Sequence, residues 1–188
     1  SFGWAGDDTV AIKCTGRGGN QDMIPNAERI TIRNNVFLTK KSGLKIGTET
    51  YCEVIQKIIF EDNDIIESDR VMGINVRDGA LVKEVLFKNI HAEYCHPNRK
   101  QTAINFYITK RNSYTSALGK IKNITIEDCS FEVAFPKKWA FFRHYPDETQ
   151  KNDLCVHMKN IFVEGKKIEE MDKEFFDPKK NNAELSFN

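Results

Sequence analysis

The chain has 188 residues, with 28 Lys plus Arg against 27 Asp plus Glu, giving a formal charge of +1. That balance excludes a nucleic-acid binder held by bulk electrostatics. A 40% hydrophobic content with 13 Phe excludes an intrinsically disordered chain, and no apolar run nears the roughly 18–20 residues that cross a bilayer.

Five cysteines (Cys14, Cys52, Cys95, Cys129 and Cys155) are widely spaced, odd in number and without a CxxC pair. They fit neither a small disulfide scaffold nor a zinc site, so no metal and no cofactor is expected. His91, His96, His144 and His157 show no ligand spacing either.

The first element opens within residues of the start. In "GWAGDDTVAIKC" (3–14), Asp7 and Asp8 stand at the mouth of a segment that alternates like a strand over 9–14. The chain begins in mid-motif, so a fragment or processed product of something longer is expected, lacking its first turns. "GRGGN" (16–20) lacks the spacing of a phosphate loop and reads as a long bend over the active face. Then come "RITIRNNVF" (29–37), "GLKIGTE" (43–49), "KIIFEDNDI" (57–65), "MGINVRDG" (72–79) and "EVLFKNIHA" (84–92). After these follow "INFYITKR" (104–111), "NITIEDCSF" (123–131), "WAFFRHY" (139–145) and "NIFVEGKKI" (160–168). The aromatic segment 139–145 reads as a sugar-stacking surface or as core with Phe141 inward. Only "KKIEEMDKEFF" (166–176) hints at a helical period.

These segments form two interleaved series, each recurring at steps of about thirty residues without crossover helices. Such a repeat predicts an all-β fold: a right-handed parallel β-helix in which each turn adds one rung to two or three parallel sheets. A β-sandwich would need close hairpins, and the nearest candidate is "RDGA" at 77–80. Asn and Asp recur after the strands, where they tolerate left-handed backbone at a bend and can hydrogen-bond along the stack. One domain over 1–188 is expected, with stacked turns over 1–168 and a capping tail over 169–188.

With both series in place, the motifs resemble the polygalacturonase-like glycoside hydrolases of family 28 and related bacterial β-helix proteins. "GDDTVAIK" (6–13) is similar to that family's paired-aspartate strand. "KKSGLKIGTE" (40–49) is similar to its Gly-His-Gly strand, with Ser42 where the His belongs. "MGINVRDG" (72–79) is similar to its Arg-Ile-Lys strand, with Asn75 and Arg77 at the basic positions. A further family aspartate would lie before Ser1. The resemblance implies a polysaccharide or oligosaccharide substrate, pectin-like if acidic, and a secreted or periplasmic protein.

Inverting hydrolysis needs one carboxylic acid to protonate the leaving oxygen and a carboxylate to activate water on the other face. Crowding of like charges raises the pKa of one member of a pair, which makes Asp8 the expected acid and Asp7 the water-holding base. Alternation turns Leu44, Ile46, Met72, Ile74 and Val76 inward. Lys45, Asn75 and Arg77 then face out, and Lys13, Lys45 and Arg77 are expected to make a cationic ladder beside the aspartates. Glu49 and Asp78 are replacement carboxylates if the acid or base has moved. Two other functions stay open: a non-catalytic glycan-binding or structural β-helix, and a polysaccharide lyase with Lys45 or Arg77 as base and calcium on Asp7 and Asp8.

Overall fold

Alternating apolar residues commit a segment to extended backbone with one covered face, and segments that share this pattern bury it by stacking. The computed structural model describes residues 1–16, 24–95, 102–112, 116–132, 140–144, 153–173, 175–177 and 181–188. Its strands are β1 (Phe2–Ala5), β2 (Val10–Cys14), β3 (Ala27–Thr39), β4 (Ser42–Thr50), β5 (Val54–Ser68), β6 (Arg70–Val76) and β7 (Leu81–Cys95). The remainder are β8 (Ile104–Ile108), β9 (Lys120–Phe131), β10 (Ala140–His144), β11 (Leu154–Val163), β12 (Lys166–Ile168) and β13 (Glu184–Phe187). No α-helix is present among the described residues, and 166–176, the one stretch with a hint of helical period, opens with β12.

The chain feeds two sheets by turns. One runs β1-β3-β5-β7-β9-β11, with β12 and β13 on the outer edge of β11; the other runs β2-β4-β6-β8-β10. Every pairing is parallel except β11 with β12. That exception lies inside 160–168, where Glu164 and Gly165 both have positive φ (49° and 74°) and turn the chain back as a tight hairpin. The turn switches the parity of the buried positions, from Ile161 and Val163 before it to Ile168 after it, with Ile168 paired to Ile161.

The long strands of the first sheet are bent at two stacked levels. Arg29, Lys57, Glu84 and Asn123 adopt left-handed backbone at one level, and Asn34, Asp62, Asn89, Asp128 and Asn160 at the other. At the second level the side chains bond along the stack: Asn89 Nδ2 donates to Asp62 Oδ1 at 2.7 Å, and Asn160 Nδ2 to Asp128 Oδ1 at 2.9 Å. Beside them the fully buried Asn63 accepts from Asn35 Nδ2 (2.9 Å) and donates to the carbonyls of Ile32 (2.9 Å) and Glu61 (3.0 Å).

Between the sheets lies one apolar core in which Leu44, Ile46, Met72, Ile74 and Val76 are fully buried. A file of rings threads it: Phe60, Phe87, Phe106, Phe142, Phe176 and Phe187, with successive centroids 4.9–6.4 Å apart. Phe142, not Phe141, is the inward residue of β10. Beyond β10 the tail supplies partners. Ala140 bridges Phe176, while Phe142 N–H donates to Asn181 Oδ1 and His144 N–H to Asn182 Oδ1, each at 2.7 Å. At the opposite end β1 is an edge strand with Phe2 and Trp4 exposed. The bend read at 16–20 lies, apart from Gly16, outside the described residues, as do His96, Trp139 and Tyr145.

Candidate functional site

The link between β1 and β2 carries Asp7 and Asp8 across the gap between the two sheets. It is pinned on both sides. The Thr39 hydroxyl donates to the Asp7 carbonyl, and Thr9 N–H donates to the Ser42 carbonyl at 2.9 Å. β2 then pairs with β4 so that Ala11 faces Lys45. This register brings Lys45 back towards the bend: its Nζ donates to Asp8 Oδ2 at 2.6 Å, while Ser42 N–H donates to Asp8 Oδ1 at 3.1 Å.

Ser42 is fully buried, and its Oγ accepts from Arg70 Nη1 at 2.9 Å. Arg70 sits opposite Ser42, and Gly73 sits opposite Lys45. The missing side chain at Gly73 leaves room for the aliphatic stems of Arg70 and Lys45 to lie against its backbone. Asn75 is buried and donates to the Asn105 carbonyl at 3.2 Å; Tyr107 lies opposite it on β8. Asp7, Asp8, Lys41, Ser42, Lys45, Thr48, Arg70, Asn75 and Tyr107 together line a cavity of about 280 Å³.

Burial by itself pushes the Asp8 carboxyl up. The hydrogen bond and charge of Lys45, with support from Ser42, outweigh it and hold Asp8 below the usual carboxylate value of 3.8. The raised pKa expected of Asp8 as a proton donor is therefore corrected. A cation, not a second carboxylate, dominates its surroundings, so Asp8 is an ionised group.

The structure brings together five of the sequence-derived residues: Asp7, Asp8, Ser42, Lys45 and Asn75. Lys13, Arg77, Glu49 and Asp78 do not line the cavity. The expected ladder of Lys13, Lys45 and Arg77 does not form, because Lys45 is level with Ala11 and Gly73, two residues short of Lys13 and four short of Arg77. Lys13 instead pairs with Glu49 at 3.8 Å, and Glu49 accepts from the Thr15 hydroxyl at 3.3 Å.

Asp78 has a structural role. Its buried carboxylate takes two bonds from Arg111 (2.7 and 2.8 Å) and one from Thr50 N–H (3.0 Å). Both the Arg77 and Asp78 N–H groups donate to Thr50 Oγ1 at 3.1 Å, which closes the turn after β6. With both oxygens engaged by Arg111 and Thr50, the Asp78 carboxylate anchors this turn and stands apart from the Asp8 cavity.

Sequence reasoning missed Lys41, Thr48 and Arg70, while Tyr107, open between a sugar-stacking and a core role, lines the cavity. Arg70 was open to discovery only through the register that sets it against Ser42, two residues before the apolar alternation of β6 begins. Among the described residues no group of three His, Cys, Asp or Glu side chains could hold a metal ion. Chemically the cavity offers two carboxylates, three basic side chains, a buried amide and a phenol, a set suited to hydroxyl-rich ligands that carry negative charge. In comparisons with family models, curated proteins and solved structures, the chain matches none.

Proposed function

We propose that this chain is the stacked core of a carbohydrate-active, right-handed parallel β-helix related to the polygalacturonase-like hydrolases, and that the Asp7–Asp8 cavity binds a polysaccharide for hydrolysis. Alternate feeding of two parallel sheets and two stacked levels of left-handed corners support the β-helix reading. The observation that carries the function is the paired-aspartate bend, held by Ser42 and Lys45 against a polar cavity on one sheet.

The division of labour reverses the one expected from the sequence. Asp8, kept ionised by Lys45, suits the carboxylate that orients water; that leaves Asp7, exposed where it lines the cavity, as the carboxyl group facing the leaving oxygen. Lys41, Lys45 and Arg70 favour an acidic sugar, as in pectin-like polymers, and such a substrate accords with a secreted or periplasmic protein.

A second reading is a glycan-binding β-helix without turnover, favoured by the occupation of both Asp8 oxygens by protein donors. Incubation with acidic and neutral polysaccharides, read by new reducing ends and by ultraviolet absorbance of an unsaturated product, separates the readings. Reducing ends alone, abolished in Asp7→Asn and Asp8→Asn variants that still fold, support hydrolysis. Unsaturated product means a lyase. Binding without either product supports the second reading, and neither binding nor product overturns both.

A further inference from the structure

Cys14 closes β2, and Cys52 lies two residues past Thr50, its partner across the β2–β4 pair. The Tyr51 N–H donates to the Cys14 carbonyl at 3.0 Å, so the strands are still in contact beside the two cysteines. Both cysteines are buried and free. Both side chains belong to the same buried cluster, and each thiol shifts the titration of the other. Cys52 Sγ is 3.5 Å from the Val54 carbonyl oxygen, an acceptor for its proton. Buried cysteines that neighbour one another where two paired strands end have backbones close enough for a disulfide to span. Two other described thiols differ: Cys129 is sealed in the core, where burial pushes it up to about 12, and Cys155 sits on the far strand β11 beside Glu184.

We propose that Cys14 and Cys52 form a site of reversible disulfide cross-linking that ties edge strand β2, and with it the Asp7–Asp8 bend, to β4. The oxidant is a small disulfide of the glutathione class. Cys14 thiolate attacks one of its sulfurs, forming a mixed disulfide and releasing one thiolate. Cys52, after losing its proton to solvent, attacks the Cys14 sulfur and expels the second. Two protein thiols are oxidised, one small disulfide is reduced to two thiols, and nothing else is consumed.

The pairing prepares this order of attack. Cys52 lowers Cys14, while Cys14 and burial raise Cys52. The site also lies where a staple matters: among the described residues β2 has only β4 as a neighbour in its sheet, and its pairing shifts register between Ile12 and Cys14.

The test is incubation of the full chain with oxidised glutathione, alkylation of remaining thiols, and peptide mapping without reduction. A Cys14–Cys52 linked peptide, two hydrogens lighter than the sum of its parts, is expected. The thermal midpoint should rise by several degrees and fall back on reduction. Cys14→Ser and Cys52→Ser should each lose both signals; should either variant fail to fold, the wild-type map decides alone. Recovery of Cys14 and Cys52 as separate alkylated or glutathione-capped thiols, or linked to other cysteines, overturns the proposal.

Discussion

Asp8 and Lys45 are mostly buried, with side-chain exposures of 9% and 13%, so neither charge has water to fall back on if its partner is lost. Replacing Lys45 by Met should cost about 2 kcal/mol of stability at neutral pH, measured by urea unfolding, because a buried carboxylate loses its charge-assisted bond. The sign of the pH dependence follows from the lowered pKa. The pair contributes in full above 3.8, the ordinary value, and the contribution is lost as pH falls below it through the folded-state value. Acid titration of wild type against Lys45→Met should therefore converge at low pH. Asp78 makes a contrasting case. Removing its charge as Asp78→Asn should cost about 3 kcal/mol, since Arg111 would lose its partner in a buried setting. Ligand binding at the Asp8 cavity should persist in that variant, as assayed by titration of the folded protein.

At the scale of elements, period-two alternation made most strands legible: the core positions of β4 and β6 were placed correctly from residue parity alone. Register was not legible, because it depends on how many residues each corner absorbs. The cationic ladder failed for that reason, and Arg70 was overlooked for the same one. Of the two corner levels, Asn34, Asp62, Asn89, Asp128 and Asn160 announce themselves by residue type. Arg29, Lys57 and Glu84 carry no such mark; stacking against neighbouring corners imposes left-handed backbone on residues that resist it. Gly47 shows the local cost of register. It has a φ of +93°, and a Cβ there would run into the Asn75 carbonyl oxygen. Gly47→Ala should separate β4 from β6 beside the cavity, destabilising the protein by about 2–4 kcal/mol in denaturant and weakening ligand binding together with it. Asn63→Ala should cost about 3 kcal/mol with binding unchanged, because it strands buried backbone carbonyls far from the cavity.

Over the whole molecule, the phenylalanine file connects sheets that share no strand pairing. Phe87 and Phe106 meet across the core at 5.8 Å, one from each sheet. Phe106→Ala should cost about 4 kcal/mol and lower the thermal midpoint in a single transition, read by calorimetry, since the loss falls on the joint between the sheets. The tail completes the far end differently. Asn181 and Asn182 use side-chain amides where another rung would use main chain, accepting the outward N–H groups of Phe142 and His144; Asn182 Nδ2 also donates to the His144 carbonyl at 2.9 Å. A row of open parallel-strand amides is a template on which foreign chains can polymerise. By plugging that template with its own asparagines, the molecule forgoes filament growth from this face.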